Sequence, residues 1–395
     1  MRVKLLTYHF SDNYGALFQA YALREWFRRR NISAEFINYH PRYVEEGGSF
    51  DQPLNPRKWK KNLTIAYLKV SNFIWSLFGS RQQKIAFDEF RRDYLGIDGQ
   101  RLFDATELQS IAAADLLVCG SDQIWNPSVQ KGLDPVYFLD FDGAGQARRV
   151  SYAASFGKSS LPTQYHATAR KFVSALDAIS VREQSGVDIV RAVSGREAIC
   201  VPDPTILLRD FRDLLDEDHP SGDVFIFCYA LRTAKIIRDV AEYLAKIKGI
   251  KLISPRSARQ RWRDIGSGVQ PGPVEWLRLL NSSAIVVTNS FHGIALSLVL
   301  NRPFLAVALP GRKSALNERA SNLLSLVGLS TRVVTSTAPE AIDAALNAEI
   351  DWLDVNKRLT DLSEIGARFL ETQLAALAKQ EGQIQSYGES IARRV

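Results

Sequence analysis

The stretch AIVVTNSFHGIALSLVLNRPFLAVA, residues 284–308, decides the architecture. It reads as a strand AIVVTN (284–289), a helix GIALSLVLN (293–301) and a strand PFLAVA (303–308). Short apolar runs without alternation suit strands covered on both faces, as parallel strands are. Between the first strand and the helix stands NSFHG (289–293), which holds one of only five histidines in the chain. In open parallel sheets, ligands bind beyond the carboxyl ends of the strands, where helix N-termini point their amides outward. That position makes His292 a candidate, with Ser290 and Gly293 beside it. The helix dipole there disfavours a charged imidazole and favours a nearby anion. The plainer reading is a structural histidine at a β-α joint.

The same rhythm extends upstream. VKLLTYHF (3–10), AEFINY (34–39), DLLVCG (115–120), RVSYAAS (149–155), AISV (178–181) and AICV (198–201) read as strands. ALFQAYALREWFRRR (16–30) reads as a helix whose three closing arginines complement its macrodipole. A second series begins with strand DVFIFCYA (223–230). Helix AKIIRDVAEYLAKI (234–247), strand KLIS (251–254) and helix PVEWLRLLN (273–281) lead into the opening stretch. Two βαβ series in tandem predict an α/β fold of two parallel sheets with helices on both faces. Pro202, Pro204, Pro220 and Gly222 flank an acidic stretch at the expected boundary. The expected division is 1–208, with a helical insertion at 41–110, then 209–352, then an amphipathic helical segment 353–395. That last segment either caps the second domain or crosses back to the first.

Size and composition agree: 395 residues, 46% hydrophobic and 24% charged, suit two ordinary domains. No run of 18 apolar residues suggests a transmembrane helix, and the N-terminal apolar run is too short for a signal segment. Cys119, Cys200 and Cys228 are scattered in apolar runs, which suggests reduced core thiols in a cytoplasmic protein. A net charge of +7 favours anionic partners. With no basic arm or zinc spacing, nucleic acid is not expected. RKWKKNLTIAYLKVSNFIWSLFGSRQQK (57–84) is a basic, aromatic-rich helix. It suits either a membrane interface or packing on the first domain.

Further polar clusters follow strands. YHFSDNYGAL (8–17) places Asn13, Tyr14 and Gly15 at a turn into a helix, as ligand contacts or as a plain N-cap. CGSDQIWNP (119–127) offers Ser121, Asp122, Gln123, Trp125 and Asn126, a polar group with an aromatic platform that suits a sugar or phosphate. SVREQSG (180–186) places Arg182 at a strand end, where its fork can take a carboxylate or phosphate. PDPTILL (202–208) reads as a rigid turn with Asp203 in a structural role. Arg312, Lys313 and Arg319 in GRKSALNER (311–319) follow the next strand. No P-loop, G-x-G-x-x-G fingerprint, nucleophile elbow or Cys/His metal cluster is present in the sequence.

Taken in order, NYGALFQAYAL, GSDQIWNP, SVREQSG, PDPTILL and VTNSFHGIALSLVLNRPF resemble the polysaccharide pyruvyl transferase family over about residues 1–330. The resemblance implies two Rossmann-like domains facing a cleft, in a GT-B-like arrangement. It implies transfer of pyruvate from phosphoenolpyruvate to two hydroxyls of a sugar, forming a ketal without a metal or other cofactor. The acceptor would be a glycan or lipid-linked oligosaccharide, which gives 57–84 a reason to touch a membrane. His292 would be the acid/base and Asp122 would orient or deprotonate an acceptor hydroxyl. Arg182, with Lys313, Arg312 or Arg319, and Ser290 and Gly293 would hold the donor. Asn13, Tyr14, Gly15, Ser121, Gln123, Trp125 and Asn126 would face the acceptor. Many members of the family carry an acidic residue where this chain has Asn289. Competing readings are a nucleotide-sugar glycosyltransferase of the same fold and a non-catalytic glycan-binding or assembly protein.

Overall fold

The computed structural model describes residues 1–41, 43, 59, 62–63, 66, 81–111, 113–130, 132–215, 224–231, 234–256, 265–309 and 317–392. Among them, strands and helices alternate through two parallel sheets. The first series runs β1 (Arg2–Leu6), α1 (Tyr14–Arg28), β2 (Ser33–Phe36), α2 (Arg81–Asp93), β3 (Leu116–Gly120), α3 (Pro127–Gln130) and β4 (Arg148–Ala154). It continues with α4 (His166–Ser174), β5 (Ala178–Val181), α5 (Gln184–Ser194), β6 (Ile199–Cys200) and α6 (Pro204–Leu208). The second runs β7 (Phe225–Tyr229), α7 (Lys235–Lys248), β8 (Lys251–Pro255), β9 (Ser267–Val269), α8 (Pro273–Ser282) and β10 (Ile285–Thr288). After it come α9 (Phe291–Val299), β11 (Phe304–Val307), α10 (Asn317–Leu326), β12 (Val333–Val334), α11 (Pro339–Asn347) and α12 (Trp352–Ala392).

The strand orders are β2-β1-β3-β4-β5-β6 and β12-β11-β10-β7-β8-β9. All pairings between these strands are parallel, with Val287 opposite both Cys228 and Leu305 in the second sheet. The apolar runs read as buried strands because both faces are covered. Leu6, Leu117 and Cys119 point into one core of the first sheet. Their neighbours Leu5, Leu116 and Val118 point into another. This period of two is the pleat itself. Short edge strands β9 and β12 carry too few residues to show such a pattern, and the sequence did not reveal them.

The two halves share a core. Tyr14, Phe18 and Tyr21 of α1 pack with Phe227, Trp276 and Ile294 of the second half. The Tyr14 ring stacks on Trp276 at 5.0 Å. Its hydroxyl donates to the Pro271 carbonyl at 2.8 Å. Helix α12 then ties both halves from outside. Val355 and Leu359 join the shared core, while Phe369, Leu370 and Leu377 lie on the first sheet with Val3, Trp26 and Tyr152. Of the two readings of the C-terminal segment, crossing back to the first domain is the observed one. The thiol expectation needs one correction: Cys119 and Cys228 are buried, but Cys200 is exposed, because β6 is the edge strand of its sheet.

Candidate active site

The site grows from four strand ends that meet where the two sheets face each other. Arg182 follows β5 directly, and its side chain is only 2% exposed. Its Nε donates to Glu183 Oε1 at 3.0 Å, and its Nη1 donates to Asp203 Oδ2 at 2.9 Å. Burial alone would lower its pKa, but Glu183 and Asp203 outweigh that and push it up. Nη2 is buried without a partner.

Asp203 follows β6 and caps α6. Pro204 opens that helix with φ already set. Asp203 Oδ1 accepts from the Thr205 amide at 3.0 Å and the Thr205 hydroxyl at 2.9 Å. Oδ2 accepts from Ser121 Oγ at 2.7 Å and from Arg182, and lies 3.4 Å from His292 Nε2. Burial would raise this carboxyl, yet His292 and Arg182 hold it well below the usual carboxylate range.

His292 arrives from the other sheet. Helix α9 starts at Phe291, two residues earlier than the apolar pattern suggests, because Ser290 caps it by accepting from the Gly293 amide. The first turn therefore carries His292 against Asp203. On its other side the ring meets Gly15 at the start of α1, where a methyl group would overlap it. Phe291 lies between two cations, with the Arg182 guanidinium 4.9 Å and the Arg319 guanidinium 6.0 Å from its ring centre. Arg182, Asp203, Phe291, Arg319, Leu323 and Ile365 are among the residues that line a cavity of about 70 Å³.

Ser121 and Asp122 both have positive φ, 26° and 63°. Side chains tolerate that poorly, at about 1–3 kcal/mol each, and such strain persists where the surroundings over-determine it. The bend delivers Ser121 Oγ to Asp203. Asp122 Oδ1 accepts from the Gln123 amide at 2.8 Å, and its charge is felt by Arg182.

The structure thus brings together His292, Arg182, Ser121, Asp122, Ser290, Gly293, Gly15 and Arg319. Arg312 and Lys313 lie outside the described residues, as does most of 57–84. Four of the residues expected to face an acceptor have structural roles here, and for the buried Trp125 and Tyr14 that expectation is corrected. Trp125 is fully buried, its ring stacked on Phe138 at 4.8 Å and its Nε1 donating to the Tyr137 carbonyl. It supports the loop from beneath and has no face to offer a sugar. Tyr14 belongs to the shared core. Asn13 caps α1 by accepting from the Gly15 and Ala16 amides. Asn126 is buried; it donates to Gln123 at 2.6 Å and accepts from the Ser128 amide.

Asp203 is the residue whose role the sequence concealed. A Pro-Asp-Pro-Thr turn is sufficient to explain a helix cap, and one carboxylate oxygen does only that. The second oxygen lies 3.4 Å from His292 Nε2, so the carboxylate facing this histidine comes from the first sheet. Among the described residues, no cluster of His, Cys, Asp and Glu could hold a metal ion, and no helix is long and apolar enough to cross a membrane.

Two Rossmann-like halves with charged strand ends gathered between them define a GT-B-like α/β protein. Solved structures share that fold. The Staphylococcus aureus MnaA–UDP co-structure has a TM-score of 0.51 at 10% identity, covering 95% of this chain and 96% of that one. A protein from Listeria monocytogenes described as a UDP-N-acetylglucosamine 2-epimerase has a TM-score of 0.51 at 9% identity, covering 94% of each chain. The sequence model of the polysaccharide pyruvyl transferases matches residues 13–309, and the chain belongs to that transferase family. No curated protein sequence matches it.

Proposed function

We propose that the protein transfers the pyruvyl group of phosphoenolpyruvate onto two hydroxyls of one sugar, in a cell-surface polysaccharide or its lipid-linked precursor, to form a cyclic ketal. The observation that carries this reading is the buried, unpartnered Nη2 of Arg182, on a side chain that lines a small cavity together with Arg319. A guanidinium held rigid by two carboxylates on its other nitrogens is prepared for one more anionic oxygen. Arg319 supplies a second cation, and the N-termini of α1 and α9 add amides. A donor with a phosphate and a carboxylate uses both. About 70 Å³ is small beside the several hundred Å³ of pockets for larger ligands, which disfavours a nucleotide-sugar donor at this place.

In the reaction, the two sugar oxygens form bonds to the central carbon of the enol and the carbon–oxygen bond to phosphate breaks. Of the two hydroxyl hydrogens, one ends on the methyl carbon and the other on phosphate. His292 would move the proton, and Asp203, 3.4 Å from its Nε2, would hold its ring. Asp122, at the strained bend, would orient an acceptor hydroxyl. The non-catalytic alternative drew on Asn289; the Asp203 carboxylate beside His292 supports the catalytic reading instead. Contact of 57–84 with the inner face of the membrane belongs to the same proposal, in a cytoplasmic enzyme. Unchanged membrane partition after its deletion would remove that part.

The test is incubation with phosphoenolpyruvate and candidate glycans, reading phosphate release and ketal mass gain. Wild type should release phosphate only with an acceptor, and His292→Ala should lose this while staying folded. Binding of nucleotide sugars without binding of phosphoenolpyruvate would overturn the reading.

A further inference from the structure

A second pocket, of about 200 Å³, opens beyond the carboxyl ends of β1 and β2. Its walls come from four places. His9 and Phe10 follow β1, and Asn38 and His40 follow β2. Asp88 and Arg91 project from α2, and Asp98, Gly99 and Arg101 lie on the segment after it. Hydrogen bonds fix this frame. Asn38 Nδ2 donates to the Gly99 carbonyl at 2.9 Å, and the His9 Nε2 lies 3.2 Å from Asn38 Oδ1. The amide of Leu102 donates to the Asn38 carbonyl and that of His40 to the Leu102 carbonyl. The Phe10 and His40 rings lie 4.3 Å apart.

The chemistry of these walls differs from that of the first cavity. Cations and carboxylates are balanced here, and Arg91 is already occupied by Asp88 at 2.8 Å and Asp12 at 2.6 Å. Burial pushes both imidazoles down to about 4, so they stand neutral at pH 7. A site of this kind has no excess charge to attract an anion. It offers donors and acceptors around its rim and aromatic edges on one side, which suits a neutral ring studded with hydroxyls.

Its place in the fold matters as much. Arg91 binds the β1–α1 loop at both the His9 carbonyl, 3.0 Å away, and Asp12. The same loop ends at Gly15, against His292. Phe10 and Gly15 are five steps apart along the chain, so the pocket lies within roughly 18 Å of contour from the histidine. From the pocket and this tether we infer that it is a subsite for a neutral pyranose unit of the glycan, a neighbour of the sugar that reacts at His292. This rests on the glycan-acceptor reading above.

Gly99 provides the means to test it. A Cβ built there meets nothing within 4 Å, and Gly99 lines the pocket, so Gly99→Trp introduces bulk at its wall from an unobstructed position. The probe is an array of neutral bacterial oligosaccharides of two or more sugars, applied without phosphoenolpyruvate. Wild type should be retained on at least one glycan, with Gly99→Trp and Arg101→Ala reduced at least tenfold and their melting temperatures unchanged. With a transferring acceptor, KM for the glycan should rise at least tenfold in Gly99→Trp while KM for phosphoenolpyruvate stays within twofold. Equal retention by all three proteins, or retention of none, overturns the subsite. Glycan retention lost in the variants without any phosphoenolpyruvate turnover in wild type would sustain the subsite and sink the transfer reaction instead.

Discussion

The two pockets at the strand ends are built on opposite plans. Around Asp203, charges are buried, paired with one another and packed against a glycine. Around Gly99, paired cations and carboxylates balance along a roomier wall, the imidazoles are neutral and the glycine faces open space. A fixed electrostatic environment is what bond-making requires, since preorganised charges need not rearrange as the reaction proceeds. A polar rim with room in it is what a hydroxyl-rich ligand requires. One chain supplies both because its β1–α1 loop touches the first with Gly15 and the second with His9, Phe10 and Asp12.

Asp203→Ala should break the contrast most severely. Removing one member of a buried ion pair costs about 3–5 kcal/mol, and the cluster would also lose its hold on His292 and Arg182. Denaturant titration should show that drop, and phosphoenolpyruvate turnover should vanish in whatever remains folded. A variant with unchanged stability would mean that the cluster is not the dense centre described here.

Acid separates the regions next. His9 is buried neutral with its pKa lowered to about 4, so an unfolded chain binds its proton first. Stability should therefore decline as pH falls from about 6.5 to about 4, by about 3 kcal/mol from this group. Asp203 has the opposite sign of argument and a lower window. Its depressed carboxyl stabilises the fold above about pH 4 and loses that contribution only as pH falls further. Unfolding measured against pH should show the first decline shrink in a folded His9→Asn variant, with His40 carrying what remains of it, and the second persist.

Two glycine substitutions sharpen the comparison at smaller scale. Gly15→Ala drives a methyl into the His292 ring and should cost about 1–3 kcal/mol, with a matching loss of turnover. Gly99→Ala meets open space and should change the melting free energy by about 0.5 kcal/mol or less. Equal effects at the two sites would erase the distinction between a packed junction and an open pocket.

Much of this was legible in the residues. Parallel strands covered on both sides announce themselves as apolar runs, so AISV and the strands of 284–308 were readable to within a residue or two. Strand-end placement likewise singled out His292 and Arg182. What stayed hidden depended on distant contacts. An aromatic after a strand looks alike whether it faces a ligand or a core, and only the packing of Phe138 and Trp276 puts Trp125 and Tyr14 inside. Asp203 was hidden by sufficiency: a helix cap explains its sequence completely, and its second oxygen acts on residues 82 and 89 positions away, Ser121 and His292.

Helix α12 gives the cleft a mechanical character. It is fastened to the shared core at Val355 and Leu359 and to the first sheet at Phe369 and Leu370. Arg30 holds Glu371 at 3.0 Å, and Arg148 donates to Gln373 at 2.8 Å. Between Leu359 and Leu370 the helix covers roughly 16 Å at its regular rise. It works as a strut, and a strut converts the distance between two bodies into a property of its own stiffness. The separation of His292 from Arg182 is thus set partly by residues of α12 that touch neither, and a kink in the helix between Leu359 and Leu370 would detune the site from its far side.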